Sequence, residues 1–334
     1  MKRAGNLYYS IPGYENLRLA FWKAAKGKRD RSEVISFIKD FDNNIKKLKD
    51  QLLNRNLDIG HYYFFKVHDP KPRSICAASF PERVLHHAIM NVCEPILDSY
   101  AIHDSYACRK GKGTHRAKKK AQTYTREYNW YLKLDIRKYF DSIDHFIMIR
   151  LLSRRIKDME LILLFQRLLD TYQTETGKGM PIGNLISQHL ANFYLGYFDH
   201  WVKEIRKVKP YIRYMDDFIL FGHDKAYLKN ELEEIKLFLA TELELELKHN
   251  IQLNRCARGV PFLGFRIFEG KIDLSPRSRQ RFVQKFRQYE RKLSHGEWSE
   301  ETLSCHMLPL VEFTRAGNTN GFRRSVIERF GFSS

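Results

Sequence analysis

Tyr211-Ile-Arg-Tyr-Met-Asp-Asp-Phe-Ile-Leu-Phe221 sets two runs of apolar and aromatic residues on either side of adjacent aspartates, Asp216 and Asp217. β-prone runs interrupted by two turn-forming acids read as a β-hairpin with both carboxylates at its turn. Burial of Ile212, Phe218, Ile219 and Leu220 would expose the turn alone, and two like charges held there require cations to offset their repulsion.

Working outward, Tyr131 to Ile136 alternates, with Leu132, Leu134 and Ile136 on one face and Tyr131, Lys133 and Asp135 on the other. This period of two predicts a strand that ends on Asp135. Three carboxylates from two strands form the oxygen-rich ligand set that suits a pair of Mg²⁺ ions, and hence phosphoryl transfer. A run from His61 to Ala78, broken by Asp69-Pro-Lys-Pro72, predicts a hairpin with a basic tip, and Val260 to Phe268 predicts a short strand pair around Gly264.

Helical periodicity marks the rest of the chain. Val34, Ile38, Phe41, Ile45, Leu48 and Leu52 predict one long amphipathic helix after Ser32, and another helix is expected from Pro81 to Glu94. Gly183 opens a pattern carrying Leu190, Phe193, Tyr197 and Trp201, and Leu228, Leu232, Ile235 and Leu239 mark a further helix. Phe282, Phe286, Tyr289 and Leu293 form the apolar stripe of a last helix that is otherwise rich in Arg and Lys, a face able to lie along a duplex.

Composition fits a polyanionic partner. Lys and Arg number 58 against 39 Asp and Glu, a formal charge of +19, and the segment Arg109 to Lys120 is basic without a single acid. Its two glycines would let backbone approach a nucleic acid. The five cysteines show no CxxC pairing and form an odd set, so neither a disulfide framework nor a zinc ribbon is expected, and a reducing cytoplasm is the expected setting. No apolar run approaches the length of a bilayer span or a signal peptide.

Taken together, the motifs resemble those of reverse transcriptases. Asp135-Ile-Arg-Lys-Tyr-Phe140-Asp141 resembles the first palm motif, Gly183-Asn-Leu-Ile-Ser187 the second and Tyr214-Met-Asp-Asp217 the third, in the family's order. The resemblance runs from about Lys66 through Phe268. It implies an α+β, right-hand polymerase fold with fingers, a palm of antiparallel sheet and helices, and a short helical thumb. The expected division is 1–130 for an N-terminal extension and fingers, 131–147 for the first part of the palm, 148–190 for fingers and palm helices, 191–268 for the second part of the palm and 269–334 for the thumb.

The same resemblance implies roles residue by residue. Asp135 and Asp216 would ligate Mg²⁺, with Mn²⁺ able to substitute, while Asp217 supports them and the Ile136 carbonyl completes the set. Phe140 aligns with the steric gate that excludes a ribose 2′-hydroxyl, and an RNA replicase would carry a small or polar residue there. Arg73, assisted by Lys71, would grip the incoming triphosphate, and Arg83 matches a basic finger position. Lys248, with His249 as its rival, is the candidate general acid for pyrophosphate, and Phe262-Leu263-Gly264 resembles the primer grip.

One motif departs from the common pattern of glutamine before the glycine and proline after the serine. This chain has Ile182 and Gln188 there, the form of the reverse transcriptases of diversity-generating retroelements, bacterial or phage enzymes related to those of group II introns. The length and the lack of an appended nuclease segment accord with that subfamily. Ile182 offers the incoming nucleotide no amide; one lost hydrogen bond is worth about 0.5–1.5 kcal/mol, up to about tenfold in discrimination. Error-prone copying is therefore expected; the resemblance, and nothing in the residues themselves, implies that the errors fall mainly at template adenines, and it implies a template-repeat RNA, an RNA–DNA hybrid, dNTPs and a basic helical accessory variability protein as partners. The competing readings are a group II intron-like or retron-type enzyme and a catalytically silent RNA-binding maturase.

Overall fold

The computed structural model describes residues 3–68 and 72–331. Its first layer is helical: α1 (Tyr14–Ala25), α2 (Ser32–Lys39) and α3 (Phe41–Leu53) pack on α4 (Phe80–Tyr100). The single long helix expected after Ser32 is two helices, because Asp40 leaves the helical region at φ −130°, ψ 49°. The break re-phases the apolar stripe, so that Phe37, 4% exposed, enters the core in place of Ile38, 44% exposed. Phe37 there meets Phe21 and Phe80 at ring-centroid distances of 5.4 and 5.3 Å. The next helix runs beyond the expected Glu94 to Tyr100; Pro95 removes one backbone bond from it, but burial of Leu97 and Tyr100 holds the final turns.

Between these helices β1 (Tyr62–His68) and β2 (Pro72–Ala78) form an antiparallel ribbon, with Tyr62 opposite Ala78. After α5 (Thr114–Glu127), β3 (Trp130–Asp135) enters the central sheet. Next come α6 (His145–Ser153), α7 (Met159–Asp170) and α8 (Leu185–His200), then the hairpin β4 (Tyr211–Tyr214) and β5 (Asp217–Gly222). α9 (Lys225–Leu243) leads to β6 (Gln252–Arg255), and the sheet order is β4-β5-β3-β6, all antiparallel.

One face of β3 gives Leu132 and Leu134 to the main core, whereas Tyr131 on the other lies in a second core beneath Ala117, Ala121 and Tyr124 of α5. The basic segment Arg109 to Lys120 thus runs from a loop into a helix. Its second half is the start of α5, and Lys118 is buried with its ammonium 3.7 Å from the Phe265 ring centroid. Burial pulls that lysine down to about 8, and Arg109 is tied to Asp98 and to the Ser105 carbonyl.

The chain closes with a small sheet, β7 (Val260–Phe262), β8 (Phe265–Ile267) and β9 (Ile272–Leu274), followed by α10 (Pro276–Ser294), α11 (Glu300–Arg315) and α12 (Asn320–Phe330). The apolar stripe of α10 places Phe282 and Phe286 in a core shared with Val326 of α12. The last two helices carry no clear stripe and were not anticipated from the sequence.

Candidate active site

The β4–β5 turn forms the centre of the site. Met215 adopts a left-handed backbone, φ 55°, unusual for a residue with a side chain and common where function holds a turn in place. Arg213, fully buried, holds the turn from beneath. It donates to the Met215 carbonyl at 3.0 Å, to Asn192 Oδ1 at 2.9 Å and to both oxygens of buried Asp199 at 2.7 and 2.6 Å. Tyr211 Oη adds a 2.6 Å bond to the same carboxylate. None of Arg213, Asp199 or Asn192 was singled out from the sequence; the available signal was a charged residue inside an otherwise apolar-aromatic strand.

Because β5 lies between β4 and β3, its register sets Asp217 opposite Asp135, and the Ile136 N–H reaches the Asp216 carbonyl at 3.4 Å. All three carboxylates therefore meet at one end of the sheet. Burial, with the Asp135 carboxylate beside it, pushes the Asp216 carboxyl up to about 6. Asp217 is also raised, by burial, against the opposing pull of the Lys133 ammonium that contacts it. Lys248 Nζ lies 2.5 Å from Asp135 Oδ1, and its N–H bonds the Asp135 carbonyl at 2.8 Å.

Among the described residues no three of His, Cys, Asp or Glu are drawn together tightly enough to hold a metal as they stand, and Lys248 and Lys133 are paired with two of the carboxylates. The donor set nevertheless fits a hard divalent cation: all its donors are oxygens, and a cation between Asp216 and Asp135 would relieve the repulsion that raises the Asp216 carboxyl.

Beyond Asp135 the chain turns through Lys138, φ 44°, so that the buried Tyr139 packs inward and Phe140 remains partly exposed with its carbonyl bonded by Met180 N–H at 2.8 Å. Above it, the strand that carries exposed Arg73 is docked on the Ile182 segment. Cys76 N–H donates to the Ile182 carbonyl at 2.8 Å and Ala78 N–H to Asn184 Oδ1 at 3.1 Å. Asn184 occupies the N-cap position of α8 yet makes no cap, its side-chain oxygen being spent on β2. Gly183, at φ 121°, is required by this contact: a Cβ would stand 2.7 Å from Ile75 Cγ2. Gln188 Oε1 accepts from Cys108 Sγ at 3.5 Å, orienting its amide from a loop the sequence did not connect with it.

Phe262, Leu263 and Gly264 form a two-residue hairpin turn whose central residues have φ 50° and 84°. Ser278 Oγ, on α10, donates to the Gly264 carbonyl at 2.7 Å, which latches this turn to the C-terminal helices. Lys133 also reaches this turn, with Nζ 5.9 Å from the Phe262 ring centroid. Two basic positions stand apart: Arg83 is paired with Glu33 of α2, and His249 is solvent-exposed beside Lys248. Lys71 lies outside the described residues.

An antiparallel sheet with carboxylates on adjacent strands, a ribbon arching beside it and a helical unit after it defines a right-hand polymerase fold. The family model for reverse transcriptase (RNA-dependent DNA polymerase) matches residues 66–267, and the chain belongs to that family. It is 24% identical over 280 residues to the group II intron-encoded protein LtrA of Lactococcus lactis subsp. cremoris, a match covering 61% of this chain and 46% of that protein. It is 26% identical over 268 residues to protein YkfC of Escherichia coli strain K12, covering 65% and 70% respectively. In structure it is similar to apo telomerase from Candida tropicalis, with a TM-score of 0.51 at 12% identity over 82% of this chain and 60% of that one. The chain thus spans about half the length of the intron-encoded relative.

Proposed function

We propose that this chain copies RNA into DNA, and that it does so as the error-prone enzyme of a diversity-generating retroelement. The polymerase reading is carried by the register that sets Asp135 opposite Asp217 with Asp216 at the adjoining turn. When bound, a pair of divalent ions, Mg²⁺ in the ordinary case, supplies Lewis-acid activation of the primer 3′-hydroxyl and charge neutralisation at the departing pyrophosphate.

Asp135, Asp216, Asp217 and the Ile136 carbonyl hold that pair. Arg73, with Lys71, grips the triphosphate through its planar fork of donors. Phe140 closes on the sugar and excludes a 2′-hydroxyl. Lys248, already beside Asp135, is placed to deliver a proton to pyrophosphate. Phe262-Leu263-Gly264 holds the primer, and the helices of 269–334 act as the thumb.

The subtype is supported by Ile182 and Gln188. The hydrogen bond that anchors residue 182 uses its backbone carbonyl, so the side chain is free to differ from the common glutamine without disturbing the fold. Template-repeat RNA and a basic accessory protein belong to this reading. A group II intron-like enzyme is the second reading, favoured by the intron-encoded relative.

Primer extension on an RNA template tests the first claim: divalent-dependent dNTP incorporation is expected from the native chain and none from Asp216→Ala. Incorporation equal in both would overturn it. Misincorporation opposite template adenine tests the second, with Ile182→Gln expected to lower it by up to about tenfold; an unchanged adenine error rate would favour the intron-type reading.

A further inference from the structure

At the end of the central sheet away from the carboxylates lies a cleft of about 860 Å³, enclosed by the end of α5, the start of β3, the end of β6 and the turn after β8. Trp130 lines it, half-buried with its ring against the main core, and is paired across the sheet with Gly222 and Arg255. Trp130 and Asp135 are the two ends of β3, five residue steps or about 17 Å apart, so a ligand in the cleft does not compete with one at the carboxylates.

The cleft is built from aromatic and cationic groups. The Arg255 guanidinium, in the cleft, and the Lys225 ammonium, reaching from α9 outside its lining, stand 5.2 and 5.4 Å from the Trp130 ring centroid. Both side chains belong to exposed residues, and among the described residues neither is paired with a carboxylate. Arg126 donates from Nε to the Glu269 carbonyl at 2.9 Å, which fixes its guanidinium at the rim. Cys256 N–H bonds the Asn129 carbonyl at 2.8 Å and braces the lining. Arg126, Arg255 and Lys271 line the cleft with one lining carboxylate, Glu269, and Lys271 is paired with Asp273 at 2.8 Å, which leaves Arg126 and Arg255 as its cations without a carboxylate partner among the described residues.

We propose that this cleft binds a single-stranded segment of RNA outside the copied region, with a base stacked on Trp130 and its flanking phosphates on Arg255 and Lys225. In naming RNA as the strand, this rests on the reading that the chain copies RNA. The two cations resting on the indole are exposed side chains held by weak cation–π contacts; a phosphate offers each a stronger, charge-assisted partner and frees the ring for stacking. A duplex cannot present an unstacked base to Trp130, so the site selects a single strand.

Fluorescence anisotropy of a labelled twelve-nucleotide oligouridine tests this on the full chain, with a saturating short RNA–DNA hybrid occupying the active cleft. The double variant Arg255→Glu with Lys225→Glu is expected to weaken oligouridine binding by about tenfold or more and to lower the salt slope by about 1.4, as for two lost phosphate contacts. Extension of the short hybrid should stay within about twofold. Trp130→Leu, which keeps an apolar group in the lining, should weaken binding by about tenfold at an unchanged salt slope.

Unchanged affinity and slope in the double variant would overturn the assignment. So would displacement of the oligonucleotide by polyglutamate as effective as that by unlabelled RNA, which would make the occupant an acidic protein. Failure of the polymerase reading shows separately, as absent extension by the native chain with oligouridine binding intact.

Discussion

The backbone carbonyl of Ile182 accepts a hydrogen bond from Cys76 N–H at 2.8 Å, so the segment proposed to lie against the nascent base pair is tied to β2 through its main chain. Arg73, Ile75 and Ala77 share one face of β2 by alternation, and Ile75 reaches Gly183. The proposed phosphate grip and the proposed fidelity residue are thereby held at one register.

Gly183→Ala tests that coupling. The new Cβ would sit 2.7 Å from Ile75 Cγ2 and 3.2 Å from the Cys76 carbonyl, on a backbone at φ 121° that disfavours any side chain. Strain of about 1–3 kcal/mol is expected, with the ribbon displaced rather than the core unfolded. Single-nucleotide extension should show kcat/KM reduced by about 10- to 100-fold, mostly through the nucleotide KM. An unaltered nucleotide KM would separate the ribbon contact from nucleotide binding.

Arg213→Met should be more damaging to the fold than a change at any of the three proposed ligands. It leaves the Asp199 carboxylate fully buried without its ion-pair partner and the Met215 carbonyl without its donor. The expected loss is about 3–5 kcal/mol, read from the urea midpoint. The double variant Arg213→Met with Asp199→Leu should recover much of the stability, because no buried charge is left unpaired. Activity should stay low, since the turn at Met215 loses its support.

Lys248→Gln distinguishes a proton donor from a charge partner. As the donor to pyrophosphate, its loss lowers kcat by about 10²- to 10⁴-fold, and added divalent metal does not restore the rate. As a neutralising partner of Asp135 alone, its removal would ease metal entry and lower the metal concentration needed for half-maximal rate, with kcat kept. Metal titrations of extension by the two forms measure both quantities.

Two adjacent histidines in α4 predict an acid limb to stability. Burial pushes His86 down to about 3 and His87 down to about 4, so both are neutral in the folded chain near pH 5.5, whereas both take up protons in the unfolded chain below their ordinary value of 6.5. Their contribution is complete above pH 6.5 and declines as the pH falls toward those folded values. Glu82, raised by burial beside His86, acts in the opposite sense, with its contribution declining as the pH rises. The histidines account for about two protons bound on unfolding near pH 5.5, and His87→Gln should reduce this to about one. Urea midpoints from pH 7.5 to 5 measure the slope; equal slopes in the two forms would refute the assignment.

Much of the architecture could be read along the chain because it follows from short-range rules. Alternation located β3, the apolar-aromatic runs flanking Asp216 and Asp217 located β4 and β5, the run around Gly264 located the β7–β8 pair, and the stripe of Phe282 and Phe286 located α10. The same rules misjudged α2 and α3, where Asp40 breaks the helix without breaking the apolar periodicity. They also missed α5, since its few apolar residues are small and its lysines mask the face that covers Tyr131.

By itself the sequence determined the order of the palm motifs, the three carboxylates, and the departures at Ile182 and Gln188, all carried by residue identity and local spacing. Only the tertiary structure decided which groups answer those carboxylates. Lys133 meets Asp217 across 84 residues and Lys248 meets Asp135 across 113, because sheet register brings them together. Asn184 reaches the backbone of Ala78 across 106 residues, giving up its cap on α8 to do so. Such pairings depend on how buried strands align, and alignment is set by the packing of the whole core, which no local pattern encodes.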